Sequence, residues 1–263
     1  MKCIILAAGF GTRTYPFNTY LPKLLFKIDG MTLLEYMLIK IQGLVSHAII
    51  YTNKKYYYAV VEEVNNLKKD NKVKINKISV LHNNVIVNEK RKGVINDLKE
   101  ALLKVYPLEY SENLLILASD NIYEFSFKDL HKQFIDTKMN CICGYKTKNI
   151  DDIRNTGTVH YKDIKYGEIT LKNIALSFEE KPDKPKFFTV VPPAYMIKKD
   201  NIEHIYYYCN TCDDEDKDSL GKMMEWFIKV NATSVFEVKN KKEIVAIYPE
   251  EHPSCCYCSK ERL

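Results

Sequence analysis

Met1-Lys2-Cys3-Ile4-Ile5-Leu6-Ala7-Ala8-Gly9-Phe10-Gly11-Thr12-Arg13 opens the chain, and Pro22-Lys23 follows a short way on. An apolar run as short as Cys3–Ala8, ended by glycine, predicts a buried parallel strand. A loop leaving the C-terminal end of such a strand is where open α/β sheets bind ligands. Gly9 and Gly11 let backbone N–H groups approach an anion closely. Arg13 and Lys23 add two cations nearby, so the stretch reads as a polyphosphate site. Two common phosphate motifs do not fit. A P-loop needs G-x-x-x-x-G-K-[ST], and no Gly-Lys-Ser/Thr follows here. A dinucleotide fold needs G-x-G-x-x-G, and position 14 is Thr14.

Composition agrees with a globular chain. Its 263 residues make one large domain, or one domain with an appendage. Hydrophobic residues at 46% and charged residues at 28% are ordinary for such a protein. The net charge of +5 is spread through mixed Lys and Asp/Glu. It does not call for nucleic acid, and Lys90-Arg91-Lys92 is the tightest basic cluster. No apolar stretch reaches the roughly 18 residues of a membrane span. Met1–Ala8 fits a strand better than a signal peptide, which makes the cytoplasm the expected location. Of eight cysteines, Cys3, Cys141 and Cys143 fall in predicted strands as buried thiols. Cys209-x-x-Cys212 and Cys255-x-x-Cys258 have the local spacing of a zinc site. The gap between them is far longer than the roughly 15–20 residues of a compact zinc ribbon, so unrelated free thiols are the expectation.

Strand and helix patterns alternate through the first half. Apolar positions 33, 34, 37, 38, 41 and 44 predict a helix over Thr32–Leu44, with Thr32 as N-cap and Glu35 as capping-box partner. Ala48–Tyr51 and Lys77–Leu81 read as strands, and Lys54–Lys69 as a charged surface helix between them. Gly93 opens a further helical pattern through Val94, Leu98, Ala101, Leu102 and Val105. Leu114–Leu117 is an apolar strand that runs through Ala118-Ser119 into Asp120. A carboxylate there projects into the same crevice as the glycine loop. Beside a triphosphate it would be repelled unless a cation lay between them, which suits Mg2+. Phe127–Asp136 reads as a helix and Asn140–Tyr145 as a strand. Thr156–Tyr161, Glu168–Leu171 and Ile174–Phe178 predict short antiparallel strands added to the sheet. Phe187–Ile197 reads as one more strand, Asp213–Asp218 as a solvated acidic loop, and Leu220–Val230 as a helix. The expected fold is α/β: three layers around a mixed, mostly parallel, Rossmann-like sheet.

The pattern L-A-A-G-x-G-T-R followed by P-K resembles the signature of the sugar-1-phosphate nucleotidyltransferases, the NDP-sugar pyrophosphorylases, in particular glucose-1-phosphate thymidylyltransferase-like proteins. The resemblance implies a nucleotide site made by Leu6, Ala8, Gly9, Gly11, Thr12, Arg13, Lys23 and Gly93. It implies that Asp120 is a Mg2+ ligand in a G-D-N motif whose glycine is here Ser119. Glu179-Glu180-Lys181-Pro182 matches the family's E-E-K-P. Glu180 would then contact the sugar and Lys181 its phosphate, with Gly157, Val191 and Tyr195 lining the sugar pocket. Arg13, Lys23 and Asp120 would be the catalytic set. Residues 1–238 would form the nucleotidyltransferase domain, with 1–145 the nucleotide half and 146–238 the acceptor half. Residues 239–263 would be a divergent Cys-containing tail.

The implied reaction joins an NTP and a sugar 1-phosphate, with neither nucleic acid nor membrane as partner. The pattern breaks at one place. The family's second Mg2+-binding aspartate would fall on Ala246 in the strand Ile244–Tyr248. An alanine cannot ligate a metal. That leaves a catalytically impaired nucleotide-binding regulatory homologue as an alternative. A cytidylyltransferase acting on phosphocholine or a similar phosphomonoester is another.

Overall fold

The computed structural model describes residues 1–12, 21–106, 110–239 and the backbone of 244–246. Its strands in chain order are β1 (Lys2–Ala7), β2 (Lys27–Ile28), β3 (Met31–Thr32), β4 (His47–Thr52), β5 (Lys77–His82), β6 (Leu114–Ala118) and β7 (Asn121–Tyr123). They continue with β8 (Asn140–Lys146), β9 (Gly157–Tyr166), β10 (Ile169–Glu179), β11 (Thr189–Val191), β12 (Ala194–Ile197), β13 (Thr233–Val238) and β14 (Ile244–Ala246). The helices are α1 (Leu33–Ile41), α2 (Tyr57–Lys69), α3 (Val94–Val105), α4 (Phe127–Thr137), α5 (Ile150–Asn155), α6 (Ile202–Thr211) and α7 (Leu220–Val230).

One ten-stranded sheet carries the fold, in the order β11-β9-β10-β13-β8-β12-β6-β1-β4-β5. β1 lies between β4 and β6, parallel to both, and Ile4 stands opposite Ile49 and Ile116. Strands β5, β4, β1, β6, β8, β13 and β9 run one way, and β12, β10 and β11 the other. The sheet is thus mixed, with seven of its ten strands running one way and its antiparallel pairings gathered in the second half.

Strand alternation sends successive side chains to opposite faces. Cys3, Ile5 and Ala7 pack with Leu34, Leu38 and Ile41 of α1, Val60 and Val64 of α2, and Leu130 and Phe134 of α4. Ile4 and Leu6 pack with Leu98 and Leu102 of α3, Ile205 of α6, and Met224 and Phe227 of α7. Two apolar cores on the two faces of one sheet make the three layers. No described helix is long and apolar enough to cross a membrane.

Several local expectations shift. Thr32 does cap α1, its Oγ1 accepting from Glu35 N–H at 3.1 Å. The Glu35 carboxylate, however, faces Lys72 at 3.2 Å rather than closing a capping box. The helix ends at Ile41, short of Leu44, because Gly43 turns left-handed at φ +80°. The three short strands predicted after residue 155 are two longer ones, β9 and β10. Register shifts between Leu171 and Ile174 and between Ala175 and Ser177 break the alternation without breaking the pairing. The single strand predicted over Phe187–Ile197 is split into β11 and β12. Pro192-Pro193 lies between them and has no N–H to give a ladder. α5 and α6 were not legible. Asn149 caps the first with its side chain, and the second is a tyrosine-rich stretch without a clean apolar stripe.

Phe227 is fully buried between α7 and the sheet. Phe227→Ala should lower the unfolding free energy by about 3–5 kcal/mol, measured by urea denaturation.

Candidate active site

The C-terminal ends of β1 and β6 and the entry to α3 open on one cleft of about 510 Å3. It is lined by Leu6, Ala8 and the loop Gly9–Thr12, and by Lys23 from the 3-10 turn Lys23–Leu25. Gly93 and Val94 line it as well. Ser119 and Asp120 come from the end of β6, and Lys181 from the end of β10. The sequence therefore converges: the glycine loop, Gly93, Asp120 and Lys181 are distant along the chain and share this one cavity. Arg13 lies outside the described residues.

Local backbone explains several of these placements. Gly11 has φ +61° and Gly93 φ +84°, both in the left-handed region. A Cβ on Gly93 would stand 2.7 Å from Lys217 O and 3.0 Å from Asp218 Oδ1. Gly93 is thus also the point where α3's entry touches the turn before α7. Lys181 holds φ +46° without being glycine. Such conformations persist where the surroundings impose them, and they gather at functional sites.

Asp120 is solvent-exposed and accepts a hydrogen bond from Asn121 Nδ2 at 3.0 Å. The β7–β14 pair sets Ala246 opposite Asn121, so the backbone at position 246 runs beside the Asp120 segment. The mapping of the expected second aspartate onto this position thus has a structural counterpart, and the residue there is alanine. Among the described residues, no group of three or more His, Cys, Asp or Glu side chains is placed to hold a metal ion.

The residues expected on the acceptor side are placed differently. Val191 and Tyr195 are almost fully buried in the core facing α3, α6 and α7. Glu180 is turned away from solvent into a slot between Gly157 and Gly221. A Cβ on Gly221 would come within 1.7 Å of Glu180 Oε2, and one on Gly157 within 3.0 Å of the same atom. Ser219 Oγ donates to Glu180 Oε1 at 2.8 Å while accepting from Lys222 N–H as the N-cap of α7. Burial raises the Glu180 pKa, opposed by the Ser219 hydrogen bond and by Lys181. Lys181 Nζ stands 3.8 Å from Glu180 Oε1. Of the sequence-predicted acceptor set, only Lys181 reaches the cleft surface.

Among the lining residues missed as site residues are Asn88, Arg91, Asp97 and Asp218. Arg91 had registered only as part of a basic cluster. Asp218 had been assigned to a solvated loop, yet it forms an ion pair with Arg91 at the cleft mouth. Composition sees charge runs and not their partners, so neither could be recognised locally. Asp97 interrupts α3's buried face and is only 7% exposed. Its pKa is pushed up to about 6, by burial first, with the Asn83 hydrogen bond opposing. The zinc reading falls half outside the description, since Cys255 and Cys258 are not among the described residues. Cys209 is buried, which pushes its thiol pKa up to about 12.

Comparison with known families agrees with this geometry. The family model described as nucleotidyl transferase matches residues 2–240. The chain belongs to the nucleotidyl transferase family. A search of curated protein sequences finds no match. Among solved structures, similar folds include a provisionally assigned glucose-1-phosphate thymidylyltransferase from Bacillus anthracis, in complex with a sucrose. It is 18% identical with a TM-score of 0.70, over 91% of this chain and 87% of that one. A UDP-glucose pyrophosphorylase complexed with UDP-glucose is 14% identical with a TM-score of 0.70, over 91% of each chain. The apo form of a UDP-glucose pyrophosphorylase gives 14% and 0.71 over the same shares. At these identities the likeness establishes the fold.

The Glu180 slot can be tested directly. Gly221→Ala should cost about 1–3 kcal/mol through the collision with Glu180. The same substitution in a Glu180→Ala background should cost clearly less, and a double-mutant cycle by chemical denaturation checks this coupling.

Proposed function

We propose that the protein transfers a nucleoside monophosphate from an NTP to a sugar 1-phosphate, releasing pyrophosphate and forming an NDP-sugar. The observation that carries this reading is the convergence of Gly9–Thr12, Lys23, Gly93, Asp120 and Lys181 on one cleft, in a chain of the nucleotidyl transferase family. Residues 1–145 supply the nucleotide half of the site, and residues 146–238 supply the acceptor half.

The acceptor phosphate is already anionic and needs no protein nucleophile. One of its oxygens bonds to the α-phosphorus as the bond to the bridging oxygen breaks, and pyrophosphate leaves. The chain supplies positioning and charge neutralisation. Backbone N–H groups of the glycine loop face the nucleotide phosphates. Lys23 neutralises charge developing on the leaving side, with Arg13 on the β- and γ-phosphates. Lys181 holds the acceptor phosphate.

The described charges of the cleft nearly cancel: Lys23, Arg91 and Lys181 against Asp97, Asp120 and Asp218. Little positive charge is left over for a triphosphate, which favours a divalent cation as a companion. Mg2+ is commonly held by one or two carboxylates plus substrate phosphates, and the exposed Asp120 carboxylate fits that donor set. When bound, Mg2+ would withdraw charge from the phosphate oxygens. Asp120→Asn should reduce pyrophosphate release at least about a hundredfold while NTP binding persists. An unchanged rate would remove Asp120 from the mechanism.

A second reading, a nucleotide-binding homologue with impaired turnover, is favoured by Ala246 beside the Asp120 segment. Ala246→Asp should raise pyrophosphate release if a second carboxylate is what limits the rate. Nucleotide-dependent thermal stabilisation without release in the wild type, together with a rate gained by this variant, would establish the second reading.

A further inference from the structure

We propose that Asp97, aligned by Asn83, reads the nucleobase and selects a base presenting an amino group (cytosine, adenine or guanine) over uracil or thymine. The proposal rests on the nucleotide reading of the cleft given above and names the substrate class within it.

Asp97 occupies the first turn of α3, in line with Ala101 and Val105, which face the core. A carboxylate in an apolar stripe costs several kcal/mol unless it is well hydrogen-bonded. Among the described residues its side chain receives one hydrogen bond, from Asn83 Nδ2 at 2.8 Å. That donor is fixed in orientation. Asn83 Oδ1 accepts from Val85 N–H at 3.0 Å, and Asn83 N–H donates to Thr52 O at 3.2 Å. Its amide nitrogen is therefore committed to Asp97. An ionised carboxylate offers about four acceptor positions. Among the described residues one of those on Asp97 is taken, by Asn83, and Asp97 lines the cleft together with Gly93, Val94 and Leu6.

The Asp97 carboxylate suits a base better than phosphates. It would repel an anion, which the lining cations Lys23, Arg91 and Lys181 would attract, and Val94 and Leu6 add apolar lining surface of the kind a base packs on. What fills an acceptor is an N–H donor. Cytosine, adenine and guanine each present an exocyclic amino group. Uracil and thymine present one N–H flanked by two carbonyl oxygens, which a carboxylate repels.

The test is isothermal titration calorimetry of the full-length protein with CTP, GTP, ATP, UTP and TTP in Mg2+, repeated with the 2′-deoxy forms. At least one amino-bearing nucleotide should bind about tenfold or more tightly than UTP and TTP. Asp97→Asn, its fold checked by circular dichroism, should abolish that margin and improve UTP binding, because the new amide can donate to a base carbonyl. UTP or TTP binding as tightly as the best amino-bearing nucleotide would overturn the proposal while leaving the nucleotide site intact. An unchanged order in Asp97→Asn would do the same. So would a preference that follows the 2′-hydroxyl regardless of base, since Asp97 would then hold the ribose. If no nucleotide binds, the proposed function falls as well.

Discussion

The structure depends on β1 being covered on both faces. Its residues Cys3, Ile4 and Ile5 are wholly buried, and each neighbour strand is parallel to it. A strand in that position can present polar chemistry only where it ends. The chain therefore emerges at Ala8 with its backbone free to turn, and glycines at 9 and 11 give it room. β6 obeys the same constraint. Its buried run Leu114–Leu117 ends three residues before Asp120, beside the end of β1, where Ser119 N–H donates to Leu6 O at 3.2 Å. Two adjacent parallel strands thus deliver a glycine loop and a carboxylate to one edge of the sheet.

Across the cleft, the same economy of space appears in the glycines. Gly93 admits the turn before α7, and Gly157 and Gly221 admit the Glu180 carboxylate. Each lacks a side chain where another part of the chain comes close. Ser219 joins two tasks there, capping the N-terminus of α7 and holding Glu180. Glu180 is consequently packed into the interior, whereas Lys23 and Lys181 line the cavity.

Most of the first half of the chain was legible from sequence because its signals are local. Apolar runs of strand length, glycines at their ends and Asp120 after β6 need no knowledge of partners. The strand over Lys77–Leu81 and the helix over Leu220–Val230 were equally clear. What failed depended on distant contacts. The bulges of β10 hide its continuity, and Pro192-Pro193 divides a run that looks continuous in composition. Arg91 and Asp218 have meaning only as a pair 127 residues apart in the sequence. Asp97 lies four residues after Gly93, yet its significance comes from Asn83 and from burial, neither of which a charge pattern reveals.

The position of β12 has a consequence for how the molecule is made. It is inserted between β6 and β8, antiparallel to both, although it follows them by many residues. On a ribosome, the strands up to β6 can associate as they emerge, but the sheet cannot extend to β8 until Ala194–Ile197 has been synthesised. β14, which pairs with β7 next to Asp120, arrives later still. Long-range pairings of this kind slow folding and leave unpaired strand edges exposed in the meantime. The nascent chain therefore carries a nearly finished glycine loop well before it owns the sheet that joins that loop to Lys181.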